Sequence, residues 1–239
     1  MVYPEYLPWN VRLVRETTRA RQVAAQLEAH SNVPVVDLLP ALLKAKPEER
    51  LYDRTGTHWN DYGAYVAYRE ILAGLGLPSL PLEAFSIERR VGPARPFLNL
   101  LEIRDLLSEE YIRFVPNTSR IARQADGPPD GKRWLRGMPP SEIVKVTGDP
   151  ALPRALVFHD SFTTINLELF LSEHFERVYY RWCYHFDRKL VESERPNIVI
   201  EERSGCSRVR ENAVSFSSST ISTFTTTTVQ RLPMRRCSR

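Results

Sequence analysis

Three segments rich in apolar or aromatic residues alternate with two amphipathic ones, and this alternation is the strongest constraint on the fold. Residues 155–159, 177–181 and 197–201 have the length and composition of buried strands, whereas residues 165–175 and 188–194 have the apolar spacing of helices. This strand–helix order predicts parallel strands joined by right-handed crossovers, and so a layered α/β fold. Ligands of such sheets bind beyond the carboxyl ends of the strands. The residues that follow position 159 are therefore the first candidates for a functional site.

The first of these strands leads directly into a serine. The segment LVFHDSF over residues 156–162 places Ser161 between an apolar strand and a predicted helix. α/β hydrolytic folds expose a nucleophile in this way. We expect the neighbouring Asp160 to tie the turn through backbone hydrogen bonds rather than to act in catalysis.

A second polar segment, DRTGTHWN over residues 53–60, supplies a histidine. Asn60 is a suitable N-cap for a helix over residues 61–75, where apolar residues recur at helical spacing. A His on a loop just before a helix is suited to act as a general base. A single His is as often a capping or packing residue. Together with Ser161, however, His58 completes the predicted catalytic pair.

Charge and composition limit the classes of function. The chain has 239 residues and a net charge of +4. From Ser204 onward six Arg stand against one Glu, which is +5, so the remaining body is −1. The basic charge is thus in the tail, and no nucleic-acid surface is expected on the folded part. No apolar run approaches the ~20 residues of a membrane span. The three Cys have no CxxC spacing, so neither a zinc site nor a disulfide framework is expected.

The pattern along the chain predicts one domain with a tail. Residues 1–203 form the domain, with a helix over 9–29 and a short strand over 33–38. Residues 78–153 are expected to be an irregular insertion in which only 98–111 is helical, because Pro and Gly recur there. Residues 204–239 are Ser-, Thr- and Arg-rich, and we expect them to be disordered.

Several separate blocks resemble one known family. The sequence YDRTGTHWNDYGAY over residues 52–65 resembles the Asp-Thr-His-Trp-Asn block of the alginate O-acetyltransferase family of the AlgJ/AlgX type, which are SGNH-hydrolase-like proteins. LVFHDSF over 156–162 and FLSEHF over 170–175 are similar to its nucleophile block, and RPNIVIEE over 195–202 resembles its closing strand. YPEYLP over 3–8 matches a segment that such proteins carry partway into the domain, so on this resemblance the chain begins inside the domain, without the first strand and export signal.

The resemblance implies a fold and an activity. The fold is a three-layer α/β/α sandwich with a parallel sheet and the family's permuted order of His before Ser. The activity is that of an O-acetyltransferase or acetylesterase, outside the cytoplasmic membrane, on hydroxyls of a secreted alginate-like exopolysaccharide. Ser161 would attack the acyl donor, and His58 would take its proton and later activate the sugar hydroxyl. The implied partners are the polysaccharide, an acetyl donor and exopolysaccharide assembly proteins, with no metal or organic cofactor.

One departure from the family pattern keeps alternatives open. The family has an Asp two residues before the His, and here that position is Gly56. The Asp orients the imidazole and stabilises its charged form, so its loss costs orders of magnitude in rate unless Asp53 or Asp61 replaces it. The resemblance thus implies a partial or degenerate member of the family. One alternative is therefore a non-catalytic relative that binds polysaccharide or an assembly partner. A second is a lipase-like or peptidase-like serine hydrolase. Oxyanion contacts are expected from Gly92 or Asn99.

Overall fold

The computed structural model describes residues 2–11, 17–93, 106–125, 142–183, 185–204 and 225–231. The helices in these ranges are α1 (Arg19–His30), α2 (Leu39–Ala45), α3 (Asp61–Leu75), α4 (Glu168–Leu171) and α5 (Arg188–Glu194). The strands are β1 (Val35–Asp37), β2 (Phe85–Pro93), β3 (Ser108–Pro116), β4 (Arg123–Gln124), β5 (Glu142–Val146), β6 (Arg154–His159), β7 (Arg177–Trp182), β8 (Ile198–Ser204) and β9 (Thr225–Arg231). One mixed sheet has the order β1-β9-β8-β6-β7-β5-β4, and β2 and β3 form a separate hairpin.

The centre of the sheet is the predicted parallel unit. β6 pairs in parallel with β7 on one side and with β8 on the other. Both faces of β6 are covered: Ala155 and Val157 join the larger apolar cluster, and Leu156 and Phe158 join a second cluster that includes residues of α5. A strand buried on both faces needs a continuous apolar sequence, and that sequence is what made β6 recognisable. The prediction of an α/β fold is confirmed at this level. The three-layer arrangement and the permuted order remain predictions.

The flanks of the sheet correct the prediction that it is parallel throughout. β5 pairs antiparallel with β7, β9 pairs antiparallel with β8, and β1 pairs antiparallel with β9. Antiparallel neighbours need no crossover helix, so strands from loop-rich segments can be added at the edges of a parallel centre.

The prediction of an irregular insertion over residues 78–153 is wrong for its described parts. β2 and β3 are nine-residue strands that pair along their whole length, and β4 and β5 extend the main sheet. The helix predicted over 98–111 is contradicted from Ser108 onward, where β3 begins, and its first part lies outside the described residues. In β3 the buried Ile112 and Phe114 alternate with more exposed residues, which is a strand period.

The prediction of a disordered tail over residues 204–239 is also corrected. Ser204 ends β8, and β9 lies between β8 and β1 in the sheet. Four consecutive Thr residues open β9, and β-branched side chains suit a pleated strand. The prediction of disorder relied on the polar composition of the segment and did not take this preference of Thr for strands into account. The remaining tail residues lie outside the described part of the chain.

Helix α3 fixes the position of the segment that precedes it. The side chain of Asn60 accepts a hydrogen bond from the Gly63 amide at 3.0 Å, and Gly76 ends the helix in the left-handed conformation with φ 64°. Most of the helix is buried in the larger core cluster, where Tyr65 and Tyr68 pack against Phe170. The start of α3 is therefore held firmly against the body of the domain.

The close approach of Gly63 to the backbone gives a stability prediction. A Cβ atom at this position would lie 2.3 Å from the Leu51 carbonyl oxygen and 2.8 Å from the Trp59 Cβ. We expect Gly63→Ala to lower the free energy of unfolding by about 1–3 kcal/mol, although Ala favours helix, because backbone cannot move aside cheaply. Urea unfolding measures the loss.

Gly74→Ala is the matched control in the same helix. Its Cβ would meet a side-chain methyl of Val36 at 2.6 Å, and a side chain can adjust more easily than a carbonyl. The control should lose less stability. Equal midpoints for Gly63→Ala and the wild type would contradict the packing described.

Candidate active site

The His58 segment is a closed loop between Tyr52 and Trp59. These two residues form an antiparallel bridge, and the Asn60 amide donates a hydrogen bond to the Leu51 carbonyl at 2.9 Å. The Asn60 side chain also donates to the Arg50 carbonyl at 2.6 Å. With both ends of the loop fixed, His58 is delivered immediately before α3, as the sequence predicted.

The Ser161 segment is a tight turn after β6. The Phe162 amide donates to Oδ1 of Asp160 at 2.9 Å, which is the turn-holding role expected for Asp160. Ser161 begins a helical segment that continues through a π-helical stretch (Thr163–Leu167) into α4. The nucleophile candidate therefore lies at the carboxyl end of a central parallel strand.

Trp59 ties the two segments together. It is fully buried, and its indole N–H donates to the Phe162 carbonyl at 3.1 Å. The Trp59 and Phe162 rings make an edge contact with centroids 5.1 Å apart, and the His58 ring lies 4.8 Å from the same Phe162 ring. A buried aromatic anchor thus sets the distance between the histidine loop and the serine turn.

The two predicted catalytic residues are brought into contact. Nε2 of His58 lies 2.7 Å from Oγ of Ser161. On the other side of the ring, Nδ1 lies 3.0 Å from the Thr57 hydroxyl oxygen. If the Nδ1 proton is donated to Thr57, Nε2 is left as an acceptor for the Ser161 hydroxyl proton. This is the geometry of a serine nucleophile with its general base.

At the position where the family has its Asp, this chain has Gly56, which carries no side chain. Of the two residues suggested to replace it, Asp61 accepts a hydrogen bond from the Phe114 amide at 2.9 Å and another from the Asn166 side chain at 2.5 Å. Its carboxylate therefore joins α3 to β3 and to the segment after Ser161. A role for Asp53 remains a prediction.

A buried glutamate from the hairpin supports the His58 loop, and the sequence did not indicate it. Glu109 in β3 is 5 % exposed and accepts hydrogen bonds from the amides of Arg54 and Thr55 and, at 2.5 Å, from the Thr55 hydroxyl. The Arg50 guanidinium lies 3.8 Å from the same carboxylate. Only the hairpin pairing brings Glu109 to this loop.

Gly92 and Asn99, the two residues suggested for oxyanion contacts, lie in or just after the first strand of the hairpin in sequence. Gly92 in β2 is the cross-strand partner of Glu109, and an oxyanion role for Gly92 remains a prediction. Asn99 lies outside the described residues.

Two other histidines are packing residues. His159 is 1 % exposed, and its Nδ1 donates to the Asp160 carbonyl at 2.8 Å. The Leu80 amide donates to the Tyr68 hydroxyl, whose oxygen lies 2.6 Å from Nε2 of His174. Burial lowers the pKa of both His159 and His174 to about 4, so both are neutral in the fold.

These neutral histidines give a pH prediction. Unfolded histidines take up protons below a pKa of about 6.5, whereas the folded ones resist until about 4. The free energy of unfolding is therefore unaffected by these two groups above pH 6.5, and it decreases as the pH falls from 6.5 to 4. For His159 the loss reaches about 3 kcal/mol. We expect His159→Gln to show a flatter dependence than the wild type in urea unfolding between pH 7 and pH 4.5.

A surface histidine is the control for this measurement. His30 is exposed, so His30→Gln should follow the wild-type pH dependence. The comparison of variants is needed because a buried carboxyl, Glu202, acts in the opposite direction: its raised pKa costs stability as the pH rises above 4.5. Identical slopes for His159→Gln and the wild type would show that His159 is not held neutral.

The described residues contain no cluster of three or more His, Cys, Asp or Glu side chains placed to hold a metal ion. Within the same ranges, no helix is long and apolar enough to cross a membrane.

The first part of the chain matches a known family in sequence. Residues 1–101 match the family model described as an SGNH hydrolase-like domain, acetyltransferase AlgX. This range contains His58 and ends before Ser161. A comparison with the curated proteins gives no match.

Several solved structures are similar in fold. A DHHW family protein from Eubacterium siraeum DSM 15702 has 20% identity and a TM-score of 0.59, with 79% of this chain and 69% of that chain covered. PatB1 of Bacillus cereus has 15% identity and a TM-score of 0.55, with 81% and 75% covered. A second structure of PatB1, with a sulfonyl adduct, has 13% identity and a TM-score of 0.50, with 74% and 64% covered. At these identities the likeness shows the fold alone.

The match over residues 1–101 includes the histidine block at residues 52–65 and the segment at residues 3–8, two of the blocks that resemble the family. The resemblance is therefore confirmed: this part of the chain has the sequence pattern of the SGNH hydrolase-like domain of AlgX acetyltransferases.

Proposed function

We propose that the protein is an O-acetyltransferase or acetylesterase that acts on hydroxyls of a secreted, alginate-like polysaccharide through a Ser161–His58 acyl-enzyme mechanism. The observation that carries the proposal is the 2.7 Å contact between Nε2 of His58 and Oγ of Ser161. That contact lies at the carboxyl end of a central parallel strand, and the matched family is described as acetyltransferases.

In the first half-reaction Ser161 takes the acetyl group. His58 accepts the hydroxyl proton at Nε2 while Oγ of Ser161 forms a bond to the carbonyl carbon of the donor. The tetrahedral intermediate collapses, the bond from carbon to the leaving oxygen breaks, and His58 gives its proton to that oxygen. The product is an acetyl ester on Ser161.

In the second half-reaction the acetyl group leaves the enzyme. A sugar hydroxyl loses its proton to Nε2 of His58 and attacks the ester carbonyl, and the Ser161 oxygen leaves and takes the proton back from His58. If water replaces the sugar hydroxyl, the same steps give an esterase. The choice between transfer and hydrolysis depends on which acceptor occupies the site.

Thr57 takes the place next to Nδ1 that a carboxylate has in a triad. Its hydroxyl, 3.0 Å from Nδ1, can hold the tautomer in which Nε2 is the base. A neutral hydroxyl stabilises the imidazolium less than a carboxylate does, so we expect a working but slow enzyme.

The partners follow from this chemistry. The proposed substrates are a polysaccharide acceptor and an acetyl donor, and exopolysaccharide assembly proteins are proposed as further partners. The reaction is proposed to take place outside the cytoplasmic membrane, where a secreted polysaccharide is found.

Gly56 favours one alternative from a different class. A protein that has lost the triad Asp and no longer catalyses the reaction would still hold the His58 loop and the Ser161 turn together at the same edge of the sheet. Such a protein would bind polysaccharide, or a partner in its assembly, without acetylating it.

An acceptor experiment separates these functions. The purified protein is given a small acetyl ester, with and without an alginate-type polysaccharide, and acetyl on the polymer and free acetate are measured. We expect Ser161-dependent acetyl on the polymer from a transferase and Ser161-dependent acetate alone from an esterase. Polymer binding with no difference between wild type and Ser161→Ala in either product would support the binding alternative.

A further inference from the structure

Two buried carboxyl groups lie directly behind the Ser161 turn. Asp160 is 2 % exposed and follows the end of β6, and Glu202 has no exposed surface and comes from β8. These strands are parallel neighbours, so the two residues meet at the same edge of the sheet. The catalytic pair uses neither carboxyl group.

Asp160 is surrounded by hydrogen-bond donors. Its Oδ1 accepts from the Phe162 amide at 2.9 Å. Its Oδ2 accepts from the Ser204 amide at 2.8 Å and from the Ser204 hydroxyl at 2.6 Å. This is an environment for a charged carboxylate.

Glu202 holds the turn from both sides of Ser161. Its Oε2 accepts from the Asp160 amide at 3.2 Å, before the serine, and from the Thr163 hydroxyl at 3.1 Å, after it. Its Oε1 is buried and accepts no hydrogen bond from the described residues. A buried carboxylate with an unpaired oxygen is costly, whereas a neutral acid in the same place costs much less.

We propose that Glu202 is a positioning residue, present as the neutral acid, that fixes the turn of Ser161 and so its 2.7 Å contact with His58. The inference rests on the function proposed above. Glu202 accepts hydrogen bonds from residues 160 and 163, which flank Ser161. A substitution of Glu202 therefore moves the Ser161 hydroxyl, although Glu202 itself does not contact substrate. Small displacements of a nucleophile have large effects on rate.

The electrostatic surroundings agree with a proton on Glu202. Burial, and next the charge of Asp160, raise the pKa of Glu202 well above its ordinary value. Asp160 is the charged group that faces it from the turn after β6, and Thr163 is neutral. On β8 the adjacent Glu201 and Arg203 pair with each other on the opposite face of the strand, and across the sheet the partner in β9 is Thr227.

The test uses a hydrophobic and a conservative variant with a neighbouring control. Glu202→Leu removes the acceptor, Glu202→Gln keeps a neutral acceptor and donor of the same shape, and Glu201→Gln changes the next residue on the strand. We expect Glu202→Leu to lower kcat for a small acetyl ester by about ten- to a hundredfold, with KM within about twofold. Glu202→Gln should recover most of this loss, and Glu201→Gln should match the wild type.

Infrared difference spectra at neutral pH report the proton directly. The wild type and Glu201→Gln should show the carbonyl band of a protonated carboxylic acid that Glu202→Gln lacks. This readout does not depend on turnover and remains available if Glu202→Leu fails to fold.

The outcomes separate this inference from the proposed function. If the wild type is no more active than Ser161→Ala, the proposed function fails. If activity depends on Ser161 but a folded Glu202→Leu keeps the wild-type kcat, the positioning role is overturned. A Glu202→Gln enzyme that is as slow as Glu202→Leu also contradicts the proposal. A carboxylic-acid band that is unchanged in Glu202→Gln overturns the neutral acid.

Discussion

Ser161→Ala and His58→Ala should each lower kcat/KM for a small acetyl ester by about 10³-fold or more, because each removes one half of the pair that we propose forms the acyl-enzyme. The contact at 2.7 Å makes the two residues one unit. The double variant should therefore be no slower than the slower single variant. Steady-state hydrolysis at several ester concentrations measures all three.

An exposed serine provides the control for this prediction. Ser193 in α5 is exposed and its hydroxyl donates to the nearby Leu190 carbonyl, so Ser193→Ala should keep wild-type kinetics. Thermal unfolding checks that each variant is folded. Activity that survives in a folded Ser161→Ala protein would rule out Ser161 as the nucleophile.

Gly56→Asp should raise kcat, by about tenfold or more, because it returns a carboxylate to the position that the family uses to orient the histidine. A triad Asp is worth up to ~10⁴-fold where geometry is ideal. The backbone can accept the change: the glycines with positive φ in the described ranges are Gly76 and Gly148, so Gly56 is not held in a left-handed conformation. The acetyl-ester assay of the first prediction serves here too.

Gly56→Asn separates charge from shape. Asn has nearly the same size as Asp, but it does not stabilise an imidazolium by its charge, so we expect a much smaller gain from it. Equal kinetics for Gly56→Asp and the wild type would mean that Gly56 is not a damaged triad position. If neither protein turns over the ester, the binding alternative gains its strongest support.

The central strands and the contact between Ser161 and His58 could be predicted from the sequence because their signals are local. β6 is a run of apolar residues followed by Asp160 and Ser161, and the Asn60 cap marks the start of α3 within two residues of His58. Each signal is complete within one short segment. The structure confirms the α/β class that was predicted from these segments.

The parts that the sequence did not predict depend on contacts between distant segments. Glu109 reaches the His58 loop only because β2 and β3 pair along their whole length. Glu202 looks like any charged residue at the end of a strand until β6 and β8 are placed side by side. β9 was not predicted for a related reason. Its polar run of Thr residues forms a strand by pairing with β1 on one side and β8 on the other, and these strands are distant in sequence.

The proposed acyl-enzyme can be identified by finding where the acetyl group is attached. The wild-type protein, His58→Ala and Ser161→Ala are mixed briefly with a small activated acetyl ester, quenched in acid, digested and analysed by peptide mass spectrometry. We expect acetylation of Ser161 in the wild type, much slower acetylation of Ser161 in His58→Ala, and no acetyl group on the corresponding peptide of Ser161→Ala. A wild-type Ser161 that stays unmodified while the ester is hydrolysed would contradict the acyl-enzyme mechanism.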